Sequence, residues 1–222
     1  MSVLVLIRHG QSQWNLENRF TGWTDVPLTP RGEEDAKKTA KALKDFHFDL
    51  GFTSKLQRAS KTLRIILEVL GQSTIPIASE PALNERNYGD LTGLNKAETA
   101  AKYGQEQVLI WRRSYSTPPP GGESIADVCK RVLPFFQSNI LSKVWEGKNI
   151  IITASGNSMR PMIQFLDHLD DETTATMEVG LCTPYVYHFE GEQLMEREVL
   201  EVTGIVTKGA SQMEAKVEEG RI

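Results

Sequence analysis

Two short apolar runs in this chain are each followed at once by a cluster of small and polar residues. Residues 3–7 precede the cluster 8–10, and residues 150–154 precede the cluster 155–158. Continuous apolar runs of this length are typical of strands that are buried on both faces of a parallel sheet. Because ligands of open α/β sheets bind at the carboxyl ends of such strands, the pattern predicts that the two clusters meet at one site.

Apolar residues at helical spacing predict helices through much of the remaining chain. Thr29 and Pro30 are typical of a helix start, and this helix is expected to continue to about Asp45. Ser54 is expected to cap the next helix, which ends at Gly71. Further helices are predicted in residues 95–113, as two short helices separated near Gly104, from Ile125 to about Val144 with a kink at Pro134, and over residues 159–166.

Shorter apolar segments predict the remaining strands. Residues 49–53 fit a short strand, and residues 75–78 fit an edge strand because they include a proline. Residues 184–189 and 193–200 fit a β-hairpin. The polar and aromatic residues 11–26, between the first strand and the first helix, are expected to form a functional loop.

These elements predict a single α/β domain, residues 1–200, with a mostly parallel central sheet flanked by helices on both faces. The length of 222 residues suits one domain with a full-sized core. From residue 201 onward the chain is polar and poorly periodic. Residues 201–222 are therefore expected to form a mobile C-terminal tail.

The overall composition is that of an ordinary globular protein, with 40% hydrophobic and 24% charged residues. The net charge of −4 and the absence of basic blocks argue against nucleic acid or a membrane surface as a partner. No stretch approaches the ~18 apolar residues of a membrane span, and no signal peptide is recognisable. Cys129 and Cys182 suggest neither a disulfide framework nor a metal site. We therefore expect a cytoplasmic protein.

The residues that follow the first strand carry chemistry suited to an anion. Arg8, His9, Ser12 and Asn15 offer a cation, an imidazole, a hydroxyl and an amide within eight residues. A single histidine is as often a structural hydrogen-bond partner, but four such groups in the core would each need a buried partner of their own. Because a neutral imidazole can attack phosphorus and form a phosphohistidine, His9 is a candidate nucleophile.

Further charged residues could complete a site for phosphoryl transfer. Arg58 offers a planar guanidinium that matches a phosphate, and Glu85 could act as an acid/base. Taken alone, Arg58 would be interpreted as a surface arginine and Glu85 as a surface charge. Lys96, Arg112 and Arg113 could hold a second anionic group, such as a carboxylate or another phosphate. Nothing in the local sequence brings these segments together.

Several longer motifs give the chain a family resemblance. They are Arg8-His9-Gly10 with residues 13–15 and 18–23, residues 53–59 (Thr-Ser-Lys-Leu-Gln-Arg-Ala), residues 82–89 (Ala-Leu-Asn-Glu-Arg-Asn-Tyr-Gly), residues 93–96 (Gly-Leu-Asn-Lys), residues 111–113 (Trp-Arg-Arg), residues 118–120 (Pro-Pro-Pro) and residues 122–124 (Gly-Glu-Ser). In these motifs residues 3–200 resemble the histidine phosphatase superfamily and, within it, the cofactor-dependent phosphoglycerate mutases. The Asn-Glu-Arg, Leu-Asn-Lys and Trp-Arg-Arg motifs together are not expected in a broad-specificity phosphatase of the superfamily.

The resemblance implies interconversion of 3-phosphoglycerate and 2-phosphoglycerate, a step of glycolysis and gluconeogenesis, with His9 carrying the phosphate and Glu85 as the acid/base. The residues implied around the phosphoryl group are Arg8, Ser12, Asn15, Arg58 and Asn157. Those implied to hold the phosphoglycerate are Thr21, Gly22, Tyr88, Lys96, Arg112 and Arg113. The family needs no metal and is primed by 2,3-bisphosphoglycerate, and its partners are small-molecule phosphoglycerates. The quaternary structure is left open, with a homodimer as one option.

One position departs from the family pattern. Where the family has Ala-His-Gly-Asn-Ser after the second buried strand, this chain has Ser155 in place of the histidine. His47, His168 and His188 match no family motif and are expected to be structural or solvated. Losing one donor to the phosphoryl oxygens lowers a rate by about 10²- to 10³-fold, so reduced activity is expected.

The serine leaves two alternatives to a mutase open. One is a non-catalytic paralogue that binds phosphoglycerate, and the other is a phosphatase of the same superfamily, in which water takes the phosphate from His9. Whether Ser155 is natural or engineered is left open as well.

Overall fold

The computed structural model describes residues 1–205, which contain one six-stranded sheet. Its strands are β1 (Ser2–Arg8), β2 (Leu50–Thr53), β3 (Ile77–Ser79), β4 (Ile150–Ala154), β5 (Pro184–Glu190) and β6 (Gln193–Val199). The order across the sheet is β3-β2-β4-β1-β5-β6, with parallel pairing from β3 to β1 and antiparallel pairing at β5 and β6. The predicted mostly parallel sheet and the terminal hairpin are confirmed, and the predicted edge strand is found as β3, which begins at Ile77 after Pro76 instead of including the proline.

Helices connect most of these strands. The α-helices in the described residues are α1 (Gln13–Leu16), α2 (Pro30–Ala42), α3 (Gln57–Val69), α4 (Lys96–Tyr103), α5 (Gln105–Arg113), α6 (Ile125–Phe135), α7 (Ser142–Trp145), α8 (Gly156–Asp167) and α9 (Asp171–Thr176). Single 3₁₀ turns are formed by Pro81–Leu83 and Gly89–Leu91. The predicted separation of α4 from α5 at Gly104 is confirmed, and Gly104 adopts a φ of 90° there.

The side chains of β1 alternate between two apolar cores, one on each face of the sheet. Leu4 and Leu6 lie in a core with residues of α6 and α8, while Val5 and Ile7 lie in a core with residues of α2 and α3. All four side chains are fully buried. The predicted helices on both faces are confirmed, and the strand ends are held between two packed layers.

The start of α3 differs from the prediction. The helix begins at Gln57, with Leu56 rather than Ser54 at the N-cap position. Instead of a local cap, Oδ1 of Asp25 accepts from the N–H of Gln57, the first helical residue, at 2.7 Å, while Asn84 Oδ1 accepts from the N–H of Lys55 before the helix at 3.0 Å. Such partners cannot be found from local spacing.

The other differences from the prediction concern one helix end and two short helices. α2 ends at Ala42 instead of near Asp45, because the chain turns at Leu43. The predicted loop 11–26 contains the one-turn helix α1, and α9 is absent from the prediction. Both helices are too short to show a clear apolar period.

The long helix predicted from Ile125 is interrupted near Pro134. α6 ends at Phe135, and a π-helical segment, Phe136–Leu141, joins it to α7. Proline has no N–H to donate to the carbonyl four residues earlier, so the hydrogen-bonding pattern changes here.

The predicted tail lies mostly outside the described residues, which end at residue 205. Val202, near the start of that segment, is buried with 3% of its surface exposed. Within residues 1–205 no helix combines the length and apolar character that crossing a membrane requires.

Candidate active site

The two polar clusters lie side by side because β1 and β4 are parallel neighbours. Their register pairs Arg8 with Ala154, and the backbone N–H of His9 donates to the Ala154 carbonyl at 3.0 Å. His9 and Ser155 therefore follow directly from adjacent strand ends, and both are buried.

The hydrogen bonds of His9 specify one neutral tautomer. Nδ1 lies 2.7 Å from the Gly10 carbonyl, which can only accept, so Nδ1 carries the proton. Nε2 lies 3.2 Å from Nε of Arg58, which can only donate, so Nε2 presents its lone pair. The ring is therefore held in the tautomer whose Nε2 lone pair faces Arg58.

The surroundings of His9 favour this neutral form. Burial of the ring, followed by the positive charges of Arg58 and Arg8, holds the pKa of His9 well below its ordinary value of 6.5. The imidazole is thus unprotonated at neutral pH, which an attacking nitrogen requires.

Arg58 is a buried residue of the site and not a surface arginine. It has 1% of its surface exposed, and burial lowers its pKa. Nη1 and Nη2 donate to the carbonyls of Thr24 and Gly22 at 2.9 and 2.8 Å, while Nε faces His9. The loop that carries Gly22 therefore fixes the guanidinium against the imidazole.

A cavity of about 260 Å³ opens beside these strand ends. It is lined by Arg8, Asn15, Arg19, Phe20, Thr21, Glu85, Tyr88, Lys96, Arg112, Arg113, Gly156, Asn157, Arg160, Glu178 and Val179. Six of these side chains are cationic and two are acidic, so the cavity has a net positive charge that suits a multiply charged anion.

Most of the residues singled out in the sequence line this cavity. Those that do not are His9, Ser12, Gly22, Arg58 and Ser155. The hydroxyl of Ser12 donates to Asn15 Oδ1 at 3.0 Å, and the backbone of Gly22 binds Arg58. These two residues therefore hold neighbours in place.

Ser155 is fully buried at the N-cap position of α8, where its Oγ faces the N–H of Ser158 but makes no hydrogen bond of normal geometry within residues 1–205. Nε of Arg8 is likewise unpartnered. That Nε lies beside the first residue of α8, since a Cβ on Gly156 would lie 3.3 Å from it. Unpaired buried polar groups are costly, so each of these two groups is suited to bind an oxygen of an anionic ligand.

Glu85 lies on the cavity wall with 8% of its surface exposed. Its Oε1 accepts from the backbone N–H of Arg86 at 2.7 Å. Its backbone carbonyl accepts from Trp23 Nε1 at 2.5 Å and from Arg131 at 3.0 Å. The carboxylate is therefore presented to the cavity by a firmly held loop.

The sequence of residues 4–200 matches the model of the histidine phosphatase superfamily, branch 1. The chain belongs to this superfamily. A protein from Cytophaga hutchinsonii named 2,3-bisphosphoglycerate-dependent phosphoglycerate mutase is 50% identical over 86% of this chain and 90% of its own length. A protein of the same name from Methylocella silvestris is 49% identical over 90% of this chain and 98% of its own length.

Solved structures of the superfamily share the fold. Bacillus stearothermophilus YhfR superposes with a TM-score of 0.77 at 26% identity, covering 93% of this chain and 98% of that one. The α-ribazole phosphatase from Shigella flexneri superposes with a TM-score of 0.76 at 26% identity, covering 93% and 99%. The fold therefore accompanies both mutase and phosphatase names, and the reaction has to be argued from the site.

Three charged cavity residues, Arg19, Arg160 and Glu178, were not predicted from the sequence. Nη1 of Arg160 donates to Asn157 Oδ1 at 2.5 Å, and the amide of Asn157 in turn donates to Tyr88 Oη at 3.2 Å. Spacing could have indicated Arg160, because residues three apart share a helix face. Arg19 and Glu178 lie outside the regular helices and strands, where no periodicity indicates direction.

The remaining histidines lie away from the cavity. His47 is exposed, His168 ends α8 in the left-handed region, and His188 pairs with Glu198 on the hairpin at 3.3 Å. Among residues 1–205, no three His, Cys, Asp or Glu side chains are grouped as a metal site would require.

Proposed function

We propose that this chain is a 2,3-bisphosphoglycerate-dependent phosphoglycerate mutase that interconverts 3-phosphoglycerate and 2-phosphoglycerate through a phosphohistidine at His9. The observation that carries the proposal is the neutral His9, whose Nε2 is held by Arg58 beside a strongly cationic cavity that also contains Glu85. Relatives about half identical to this chain carry the same name.

The proposed transfer divides between His9 and Glu85. When a substrate hydroxyl attacks the phosphoryl group on His9, the bond from Nε2 to phosphorus breaks, a new oxygen–phosphorus bond forms, and Glu85 takes the hydroxyl proton. In the return step Nε2 attacks the other phosphate of the ligand. Glu85 then gives its proton to the departing oxygen.

The cationic residues stabilise the charge that this transfer moves. Arg8 and Arg58 lie beside the transferred group, where planar guanidinium forks match phosphoryl oxygens. Ser12, Asn15 and Asn157 complete that environment. The proposed contacts to the rest of the phosphoglycerate are Thr21, Gly22, Tyr88, Lys96, Arg112 and Arg113.

Priming needs a ligand with two phosphates. The cavity fits such a molecule because six lining cations face only two carboxylates, and because Nε of Arg8 on its wall lacks a protein partner. 2,3-Bisphosphoglycerate would supply the first phosphoryl group to His9. No metal has a part in the proposed reaction.

Ser155 is proposed to slow the mutase. A buried hydroxyl without a protein partner can bind a phosphoryl oxygen, but it is shorter than an imidazole and remains neutral. The same substitution favours the two alternatives. A phosphoenzyme held less firmly would lose its phosphate to water, and a site in which transfer fails altogether would only bind phosphoglycerate.

A coupled assay with and without 2,3-bisphosphoglycerate separates these functions. A mutase converts 3-phosphoglycerate only after priming and releases little free phosphate, whereas a phosphatase releases phosphate at a rate comparable to its turnover. Incubation with the bisphosphate should also give an acid-labile, alkali-stable label on the peptide that contains His9. Binding without label or turnover would contradict the mutase and support the binder.

Arg58→Lys tests the arrangement around His9. It keeps the charge but cannot bind Gly22, Thr24 and His9 together. Labelling of His9 should slow by about 30- to 150-fold, equivalent to ~2–3 kcal/mol in the transition state. Arg64→Lys, on the same helix, is the control. An unchanged rate would remove Arg58 from the proposal.

The cytoplasmic location and the homodimer stay predictions.

A further inference from the structure

The cavity contains a carboxylate that the proposed transfer does not use. Glu178 follows α9 and lies on the cavity wall, as Glu85 does. An acidic side chain is unexpected there, because a phosphoglycerate brings only negative charge to this wall.

Residues 177–179, here called the rim segment, bind arginines of the cavity through their backbone. The Met177 carbonyl accepts from Nη2 of Arg160 at 2.8 Å, and the Val179 carbonyl accepts from Nη1 of Arg8 at 2.8 Å. The side chains of Met177 and Val179 are buried in the core, with 6% and 3% exposed. The backbone on both sides of Glu178 is therefore fixed.

The side chain of Glu178 pairs with a third arginine, Arg113. The Glu178 side chain is 50% exposed and that of Arg113 is 22% exposed. Because exposed pairs of this kind are weak and screened by salt, the carboxylate can move into solvent at little cost.

Arg113 is crowded by a second cation. Burial, and then the charge of Arg113, lower the pKa of Arg160 to about 10. In the free protein the Glu178 carboxylate pairs with Arg113 and balances its charge. A phosphate or carboxylate bound at Arg113 would balance the same charge.

We propose that Glu178 is an internal competitor for the anion site at Arg113, so that a ligand must displace its carboxylate before binding there. The displaced charge stays near the cavity and repels the bound ligand. This repulsion grows with ligand charge, so Glu178 weakens binding of a bisphosphorylated ligand more than that of a monophosphorylated one. The inference rests on the proposed function only for the choice of phosphoglycerates as ligands.

Glu178→Gln tests the inference by calorimetric binding, which needs no turnover. The dissociation constant of 3-phosphoglycerate should fall about two- to fivefold, and that of 2,3-bisphosphoglycerate by a larger factor. Both gains should shrink as salt is raised. Glu172→Gln removes the same charge from an exposed position on α9 and should leave both constants unchanged.

Thermal unfolding gives a second readout. Without ligand, Glu178→Gln should melt below the wild type because Arg113 loses its counter-charge beside Arg160, while the stabilisation by 3-phosphoglycerate should be larger. Weaker binding in Glu178→Gln would mean that Glu178 positions Arg113, and affinities equal to those of the control would make it a spectator. Either result overturns the inference.

Inorganic phosphate serves as the third ligand, so that the competition is tested whether or not phosphoglycerates bind. Its dissociation constant should also fall in Glu178→Gln, and an unchanged constant contradicts competition. Failure of the mutase proposal is seen separately, as absent turnover of the primed wild-type protein.

Discussion

At the scale of single residues, the buried neutral His9 couples folding to pH. Its folded pKa lies well below 6.5 because of burial, Arg58 and Arg8, whereas in the unfolded chain it returns to about that value. Between these two pKa values the unfolded chain binds a proton that the folded protein does not. Acidification below about pH 6.5 therefore lowers the contribution of His9 to stability.

We predict that His9→Gln removes this contribution. The stability of the wild type relative to the variant should fall by up to about 1.4 kcal/mol per pH unit between about pH 6 and 5. Urea unfolding at several pH values measures the difference, with His47→Gln as the exposed control. A constant difference across this range would show that the folded protein protonates His9 normally.

The second prediction at this scale concerns Ser155. Ser155→His should raise mutase turnover by about 10²- to 10³-fold, since β4 and the following Gly156 hold the backbone at the strand end, and an imidazole adds a donor to the phosphoryl group. Phosphoglycerate affinity should change much less, because the cationic wall is untouched. The coupled assay and direct binding measure the two effects, and an unfolding midpoint checks that the larger side chain is accommodated.

Two outcomes of the Ser155→His experiment would contradict that expectation in different ways. If turnover is unchanged and His9 is labelled normally, Ser155 already supports phosphoryl transfer as well as a histidine does. Turnover at background with no labelling of His9 would end the mutase proposal, since the site then fails for another reason.

At the scale of elements, α6 holds the loop that carries Glu85. Arg131 on α6 donates to the carbonyls of Ala82, Asn84 and Glu85 at 2.7, 2.9 and 3.0 Å, and it also pairs with Glu123 at 2.8 Å. The Arg131 side chain thus binds three backbone carbonyls of a loop that has no regular α-helix or strand hydrogen bonds at these positions. The position of the proposed acid/base depends on a helix more than forty residues away in the chain.

Arg131→Met should therefore lower turnover without removing substrate contacts. We expect a decrease of roughly 10- to 100-fold in kcat, with a small change in KM, because a displaced Glu85 affects proton transfer more than binding. Steady-state kinetics on the folded variant measures both. Lys130→Met, an exposed neighbour on α6, is the control. An increase in KM with kcat unchanged would assign Arg131 to substrate binding instead.

At the scale of the whole molecule, a buried ion pair joins the terminal hairpin to α8. Nε of Arg197 on β6 lies 3.3 Å from Oδ2 of Asp167, and their side chains are 11% and 2% exposed. Burial raises the pKa of Asp167 despite the opposing charge of Arg197. Removing only the arginine would take the main counter-charge from a buried carboxylate.

Arg197→Met should destabilise the protein by about 3 kcal/mol at neutral pH, and adding Asp167→Asn should recover part of that loss. The destabilisation should decrease as the pH falls, because protonation of the isolated Asp167 removes its charge. Urea unfolding measures these differences, with Glu196→Gln as the exposed control. A double variant less stable than Arg197→Met would contradict this account of the pair.

The sequence pattern alone predicts those features of the fold that are determined by residues close to one another in the chain. The apolar runs before Arg8 and Ser155 predict buried parallel strands, and Gly104 predicts the break between α4 and α5. In each case the determining residues lie within a few positions of the element. The motifs around His9 and Glu85 likewise indicate superfamily membership without coordinates.

The remaining features depend on partners that are distant in the chain. Ser54 lies before the helix start, where the distant Asp25 accepts from the N–H of Gln57, and Arg58 is a buried contact of His9 instead of a surface charge. The pairing of Glu178 with Arg113 joins residues 65 positions apart. The sequence by itself determined the strands, most of the helices and the chemical groups of the candidate site. Only the tertiary structure decided the tautomer of His9, the burial of Arg58 and the charge balance of the cavity, because each depends on long-range contacts that no local period encodes.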